Sequence, residues 1–365
     1  MTGFAAAHAE PLVLSGDAWT RGAGQASDAF ADPARVRDAT IGRVEQARVA
    51  GLFDAAARDY LARQREFHLA HDPDGMAELA GIADGFGLPE DDLFTHLHLG
   101  TLNDFKSGAR LDSDGCSAWA APDGPDGPIV VKNRDYSGLH KGIQRVTLQS
   151  GNDVTTGAML CVGSLGSPAG YSSGMNAKGL MLADTQVAVR AHRVGWLRYF
   201  LMTRILATCG TVGDALDLIA SKPHAGGGTL VLADASGDTA VVELSADATG
   251  IQRGGIVWRT NHYVLPDHAA DTLLPEGDRI AGNSGERFAY LERWLPGLTL
   301  DTAHAARLMQ THRDTGPGAA PLCQHGETEA SQTLSTSIYS CRLGALTFSQ
   351  GNPCGGDWQT YRMPS

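Results

Sequence analysis

"LDSDGCSAWAAPDGPDGPIVVKNRDY", Leu111 to Tyr136, decides how the rest of the chain is read. Two β-prone runs, "CSAWAAP" and "PIVVKNRDY", flank "PDGPDGP", whose prolines and glycines cannot continue a ladder and so predict a turn. Centring that turn between Pro125 and Asp126 puts Cys116 directly opposite Asp135, on one face of the sheet and within cross-strand reach. Many free cysteines are simply small buried core residues, but that reading does not anticipate a carboxylate beside the thiol. Gly115 can take backbone conformations closed to other residues, which predicts a strained, approachable Gly115–Cys116 peptide. The neighbouring thiol can attack that carbonyl by an N-to-S shift, and water then releases Cys116 as a new N-terminus. An α-amino group has a pKa of about 7.7–8.0, so part of it is neutral at pH 7 and can take the thiol proton. One residue then supplies both nucleophile and base.

The chain has 365 residues and a formal net charge of −12, with no long basic run. Phosphate binding needs clustered Lys and Arg, so nucleic acid is excluded as the default partner and small-molecule chemistry is favoured. The six cysteines, Cys116, Cys161, Cys209, Cys323, Cys341 and Cys354, show no CxxC spacing, which signals neither a zinc ribbon nor a thioredoxin-like pair. A chain this long needs no disulfide framework to bury its core. "MTGFAAAHAEPLVLSGDAW" lacks a basic n-region and its apolar run is broken, so it is not read as a signal peptide. No apolar stretch approaches the roughly 18 residues of a membrane helix. These features predict a cytoplasmic protein.

Up to Gly115 the chain reads mainly as helix, in "ARDYLARQREFHLAH", "GMAELAGIADGFGL" and "LPEDDLFTHLHLGTLNDF". Beyond it, short β-prone runs alternate with Gly, Pro, Asp and Asn turns: "VTTGAMLCVG", "KGLMLADTQVAV", "GTLVLADASGDTAVVELS" and "GGIVWRTNHYV". Helices return in "WLRYFLMTRILATCG", "TVGDALDLIASK", "GERFAYLERWL" and "DTAHAARLMQTH", and a hairpin, "TLSTSIYSCRLGALTFSQGNPC", closes the chain. Antiparallel hairpins with helical pairs between them predict an α+β layered sandwich and not alternating βαβ units. Neither an internal repeat nor a Pro-rich linker divides it.

Other motifs compete for attention. "GYSSG", Gly170 to Gly174, matches the G-x-S-x-G elbow of serine hydrolases and offers Ser172 as a rival nucleophile. An elbow needs a helix directly after it, whereas "MNAKGLMLA" is strand-like, so Ser172 is placed in a loop near the pocket. His140 or His262 could serve a papain-like thiol, but His262 follows Asn261, and neighbours on a strand face opposite ways. The pairs His68/His71 and His96/His98 lack the further ligands of a metal site, so no metal is predicted. Leu201, Met202 and Ile205 read as core, and the five cysteines other than Cys116 as structural.

Taken in order, "LSGDAWTRGAGQ", "DGCSAW", "KNRDY", "GMNAKGLMLA", "RTNHYV", "NSGERFAYLERWL" and "FSQGNPC" resemble the acyl-coenzyme A:6-aminopenicillanic acid acyltransferase group. This is the C45-type branch of the N-terminal nucleophile (Ntn) hydrolases. The first motif carries Gly16, Arg21, Gly22 and Gly24 in the family's places. The resemblance implies a four-layer αββα sandwich of two antiparallel sheets, cut into a mainly helical segment, residues 1–115, and a catalytic chain, residues 116–365. It implies Cys116 as nucleophile, freed by cleavage after Gly115, with Asp135 orienting its amine and Asn261 helping to bind the oxyanion. Asn133, Arg134, Tyr136 and Asn176 take supporting or substrate-binding roles. Lys132 departs from the arginine that related bile-salt and N-acylethanolamine hydrolases carry there, and lysine lacks arginine's planar fork. The implied reaction is hydrolysis or transfer of the acyl group of a small N-acyl amide or acyl thioester, with no cofactor and with a coenzyme A thioester as one candidate co-substrate. Two rivals remain open: a serine hydrolase using Ser172, and a ligand-binding relative that does not cut itself.

Overall fold

The computed structural model describes residues 6–106, 115–273, 279–316, 318–327 and 329–364, without the side chains of 279–281. Fifteen strands run in chain order: β1 (Ala7–His8), β2 (Leu12–Ser15), β3 (Ser117–Ala121), β4 (Ile129–Tyr136), β5 (Gln144–Ser150), β6 (Met159–Ser164), β7 (Ser173–Asn176), β8 (Met181–Thr185), β9 (Thr229–Ala233), β10 (Thr239–Leu244), β11 (Thr249–Arg253), β12 (Val257–Arg259), β13 (Gln332–Ser340), β14 (Ala345–Gln350) and β15 (Trp358–Arg362). They form a seven-stranded sheet, β1-β15-β14-β13-β4-β3-β12, and an eight-stranded sheet, β11-β10-β9-β8-β7-β6-β5-β2.

Alternation along each strand sends one set of side chains to each face, and three apolar clusters follow from it. Ala118, Ala120 and Val130 of the first sheet meet Leu160, Val162, Met181 and Val231 of the second, filling the space between the sheets. The opposite faces of β3 and β4, with Trp119, Ile129 and Val131, pack against Leu291, Ala305 and Met309 of helices Arg279–Trp294 and Thr302–Met309. Cys161, Leu182, Leu230 and Val242 pack against helices Pro73–Phe86, Arg198–Thr208 and Val212–Ala220. Helix, sheet, sheet and helix are therefore stacked, the αββα order expected.

Two details differ from the sequence reading. The sheets are mixed: β1 pairs parallel with β15, and β2 parallel with β5, while the other pairs are antiparallel. Parallel neighbours need a long crossover, and these edge strands reach their partners from the other end of the chain or across the whole helical segment. The predicted closing hairpin is also not the last element, because β15 follows it and pairs with β14.

The decisive hairpin forms, but one residue out of the predicted register. Ser117 faces Asn133, Ala118 faces Lys132 and Ala121 faces Ile129. The turn closes through Gly127 N–H donating to the Gly124 carbonyl at 3.0 Å, with Gly127 at φ 78°. That left-handed residue costs a glycine little, and it centres the loop on Pro125. A one-residue shift exchanges the faces of a strand. Continuing the ladder places Arg134 across from Cys116 and sets Asp135 opposite Gly115.

Candidate active site

Cys116 immediately precedes β3 and is buried, as are its hairpin neighbours. Together with Lys132, Arg134, Asp135, Tyr136, Tyr171, Asp184, Gln186, Arg198 and Tyr199 it lines a narrow cleft. The cleft lies at the end of the inter-sheet space, where the apolar pattern of β4 gives way to "KNRDY".

Although Asp135 is not the cross-strand partner of Cys116, it borders the same peptide. Gly115 N–H donates to the Asp135 carbonyl at 3.4 Å, and the Cys116 Sγ lies 3.9 Å from that oxygen. Gln324 Nε2 donates to the Gly115 carbonyl at 3.3 Å and to Asp135 Oδ2 at 2.5 Å, while Thr333 Oγ1 donates to Asp135 Oδ1 at 2.6 Å. Burial raises the Asp135 carboxyl to about 6, against the opposing effects of Arg287, Thr333, Gln324 and Lys132.

At Gly115 the pressure is on space and not on φ. Its φ lies outside the left-handed region, whereas a Cβ there would sit 2.4 Å from Gln324 Nε2 and 3.1 Å from Asp135 Oδ2. The strained peptide predicted at this glycine is thus replaced by a crowded one.

Arg287 joins the cysteine to Asn261. Fully buried on helix Arg279–Trp294, it donates through Nη1 to the Cys116 carbonyl and to Ser117 Oγ at 2.9 Å, and through Nη2 to Asn261 Oδ1 at 2.7 Å. With its oxygen held by Arg287, the Asn261 amide donates one Nδ2 N–H to the Gln186 carbonyl at 2.8 Å. An amide nitrogen has two such hydrogens. Burial lowers the Arg287 guanidinium, opposed by Asp135 and Cys116.

Lys132 is buried and donates to Asp184 Oδ1 and, at 3.3 Å, to the Ser172 carbonyl. Arg198 Nε reaches the other Asp184 oxygen at 2.7 Å. Burial alone would raise the Asp184 carboxyl, but Lys132 and Arg198 together hold it below its ordinary value. The lysine that departs from the family arginine is thus one arm of a buried cation–carboxylate–cation bridge.

The supporting residues divide. Arg134 lies over the Tyr136 and Tyr171 rings and donates to Gln144 and Ser164, forming one wall of the cleft. Asn133 faces the helical layer, donating to the Met309 and Leu322 carbonyls at 2.9 and 2.8 Å and accepting from Thr336 Oγ1. It ties layers together and does not line the cleft. Asn176 is also structural: its Nδ2 donates to the carbonyls of Leu206 and Cys209, and its Oδ1 accepts from Lys178 and Leu180 N–H groups. The left-handed residue of its turn is Gly179, at φ 89°.

Ser172 is followed by β7 and not by a helix, so the elbow geometry is missing, and only its carbonyl touches the site, through Lys132. His262 Nδ1 lies 2.8 Å from Ser284 Oγ, and burial, with Arg287 and Arg259, lowers its pKa to about 4. His140 packs on Tyr136, with Nδ1 2.9 Å from Ser164 Oγ, and does not line the cleft.

Sequence reasoning missed Arg287, Gln324, Thr333, Asp184 and Arg198. One signal was available: Ser284, Arg287, Leu291 and Leu295 follow helical spacing and are all buried, a polar pair on an otherwise apolar stripe.

Residues 121–354 match the family model described as acyl-coenzyme A:6-aminopenicillanic acid acyl-transferase. That segment begins after Cys116 and takes in Asp135, Asn261, Arg287 and Gln324. No curated protein matches the chain significantly. Among solved structures, a mutant conjugated bile acid hydrolase from Clostridium perfringens aligns at 14% identity and TM-score 0.39, over 69% of this chain and 97% of its own. A Caenorhabditis elegans ortholog of N-acylethanolamine-hydrolyzing acid amidase aligns at 12% and 0.43, over 68% and 100%. Penicillin V acylase from Agrobacterium tumefaciens aligns at 13% and 0.36, over 64% and 83%. Among the described residues no helix is long and apolar enough to cross a membrane.

Proposed function

The chain belongs to the acyl-coenzyme A:6-aminopenicillanic acid acyl-transferase family, and from that premise we propose that it is a self-processing Ntn enzyme whose nucleophile is Cys116. The observation that carries the proposal is the set of groups around one peptide: the Gly115 carbonyl accepts from Gln324, and the adjacent Cys116 carbonyl from Arg287. The Cys116 thiol adds to the Gly115 carbonyl carbon, and the Gln324 amide donates to the oxygen as it gains charge. Collapse breaks the C–N bond as the thiol proton passes to the departing nitrogen, leaving a thioester on sulfur and an amine on Cys116. Water then hydrolyses the thioester, giving residues 1–115 and 116–365.

Cleavage removes the Gly115 N–H from the Asp135 carbonyl, leaving that oxygen, beside the Asp135 carboxylate, to orient the new amine. The neutral amine takes the thiol proton, and the thiolate attacks the carbonyl of a small N-acyl amide or acyl thioester. The second N–H of Asn261, aligned by Arg287 and Gln186, stabilises the oxyanion; one such donor contributes about 3–4 kcal/mol. The departing amine takes the proton back. Water on the resulting thioester gives hydrolysis, and an amine gives transfer, with coenzyme A thioesters among the possible donors.

Mass spectrometry of the enzyme quenched during turnover of a panel of N-acyl amines and acyl thioesters tests the chemistry. An acyl adduct on the fragment beginning at Cys116, absent from Cys116→Ala, is expected. Turnover with an adduct on Ser172, or undiminished turnover by Cys116→Ala, contradicts it.

A further inference from the structure

Beyond Gln324, away from the cleft, three chain segments bring two thiols and two imidazoles together. Cys323 and Cys354 have their sulfurs 3.7 Å apart, and His325 Nε2 lies 3.3 Å from Cys354 Sγ and 3.7 Å from Cys323 Sγ. His312 stands on the far side of this group: ligand atoms of His312, His325 and Cys354 all lie within 4.8 Å of one another, a set that does not include Cys323. A tetrahedral zinc ion about 2.3 Å from sulfur and about 2.05 Å from nitrogen sets sulfurs about 3.8 Å apart and sulfur and nitrogen about 3.6 Å apart. Three edges of that tetrahedron are therefore already formed. Contact between two thiols alone gives no reason for an imidazole nitrogen to face both sulfurs.

The surroundings match a metal centre. Asp314 Oδ1 accepts from His312 Nδ1, which turns Nε2 into the candidate ligand atom, the carboxylate–histidine arrangement that orients metal-bound imidazoles. Asn352 Nδ2 donates toward Cys323 Sγ at 3.5 Å and to the Gln324 carbonyl at 2.7 Å. Cys323 N–H donates to the Thr311 carbonyl at 2.8 Å, fixing the His312 segment beside it.

We propose that Cys323, His325, Cys354 and His312 bind one zinc ion, displacing the two thiol protons to solvent, and that ligands at 323 and 325 clamp the loop that presents Gln324 to Gly115. The spacing rules applied to the sequence did not anticipate this site, because its ligands come from three separated segments and no two form a CxxC pair.

Full-length protein, reduced and stripped by a chelator, is titrated with Zn²⁺ against a chromophoric competitor and separately with Co²⁺. One equivalent is expected, with a thiolate-to-cobalt charge-transfer band and a zinc-dependent rise in Tm. Cys354→Ser and His325→Ala, both at exposed positions, should weaken binding by about tenfold or more, and Asp314→Ala by about 10–100-fold; Cys341→Ser should leave it unchanged. Absence of the thiolate band, wild-type affinity in Cys354→Ser and His325→Ala, or a native Cys323–Cys354 disulfide whose reduction yields no zinc binding would overturn the proposal. Metal binding is read directly, so its failure is distinct from failure of the cleavage chemistry.

Discussion

The surroundings of Asp135 work against its charge. Its carboxyl moves from an ordinary 3.8 to about 6 because it is buried, even with Arg287, Thr333 and Gln324 holding it. A carboxyl whose folded pKa is raised favours the fold most when protonated. That contribution is complete below about pH 3.8 and is lost as pH rises through about 6, on the order of 3 kcal/mol in all. Asp135→Asn should therefore lack this fall in stability between pH 4 and 6, as followed by thermal unfolding. In the proposed mechanism the charged form orients the amine, so kcat/KM should rise through about pH 6 in the wild type, and the residual rate of the Asn variant should show no such inflection. Cys116, Lys132, Arg134 and Asp135 were legible in the sequence because a single hairpin carries them all. Arg287, Gln324 and Asp184 arrive from distant segments, and their proximity exists only once the layers stack.

At the scale of elements, helix type and position were largely legible, since "TVGDALDLIASK" and "DTAHAARLMQTH" carry both their caps and their apolar stripes: Thr211 caps Val212–Ala220 and Asp301 caps Thr302–Met309. Hairpin register was not, because it turns on the conformation of Gly127. Nor was the contact between helices Ala18–Gly24 and Pro73–Phe86, which approach backbone to backbone. A Cβ at Gly22 would lie 2.1 Å from the Glu78 carbonyl oxygen, and one at Gly81 2.1 Å from that of Trp19. Backbone cannot yield as a flexible side chain does, so Gly81→Ala should destabilise the protein by about 1–3 kcal/mol in chemical unfolding. Gly51→Ala is no control, since Gly51 has φ 75°; Gly282, with open space around it, is the appropriate one.

Across the whole molecule, residues on either side of the proposed cut are bound to one another far from it. β1 and β2 complete the two sheets by pairing with β15 and β5. Arg21 grips Asp153 through two hydrogen bonds, Gln25 bridges the Ser167 carbonyl and Gly166 N–H, and Gln64 bridges both backbone groups of Gly195. Helix Pro73–Phe86 shares its apolar cluster with the eight-stranded sheet. The two fragments should consequently stay together at 1:1 on native size-exclusion chromatography and part only in denaturant. The layered class was legible from the order of hairpins and helical pairs; the parallel edge pairings were not, since no local pattern encodes which distant strand completes a sheet.

The most direct measurement is the intact mass and N-terminal sequence of the purified, active protein under denaturing conditions. Two chains are expected, one of them beginning Cys-Ser-Ala-Trp at Cys116, with Cys116→Ala remaining whole. A fully active enzyme in which the Gly115–Cys116 bond is unbroken would contradict the account.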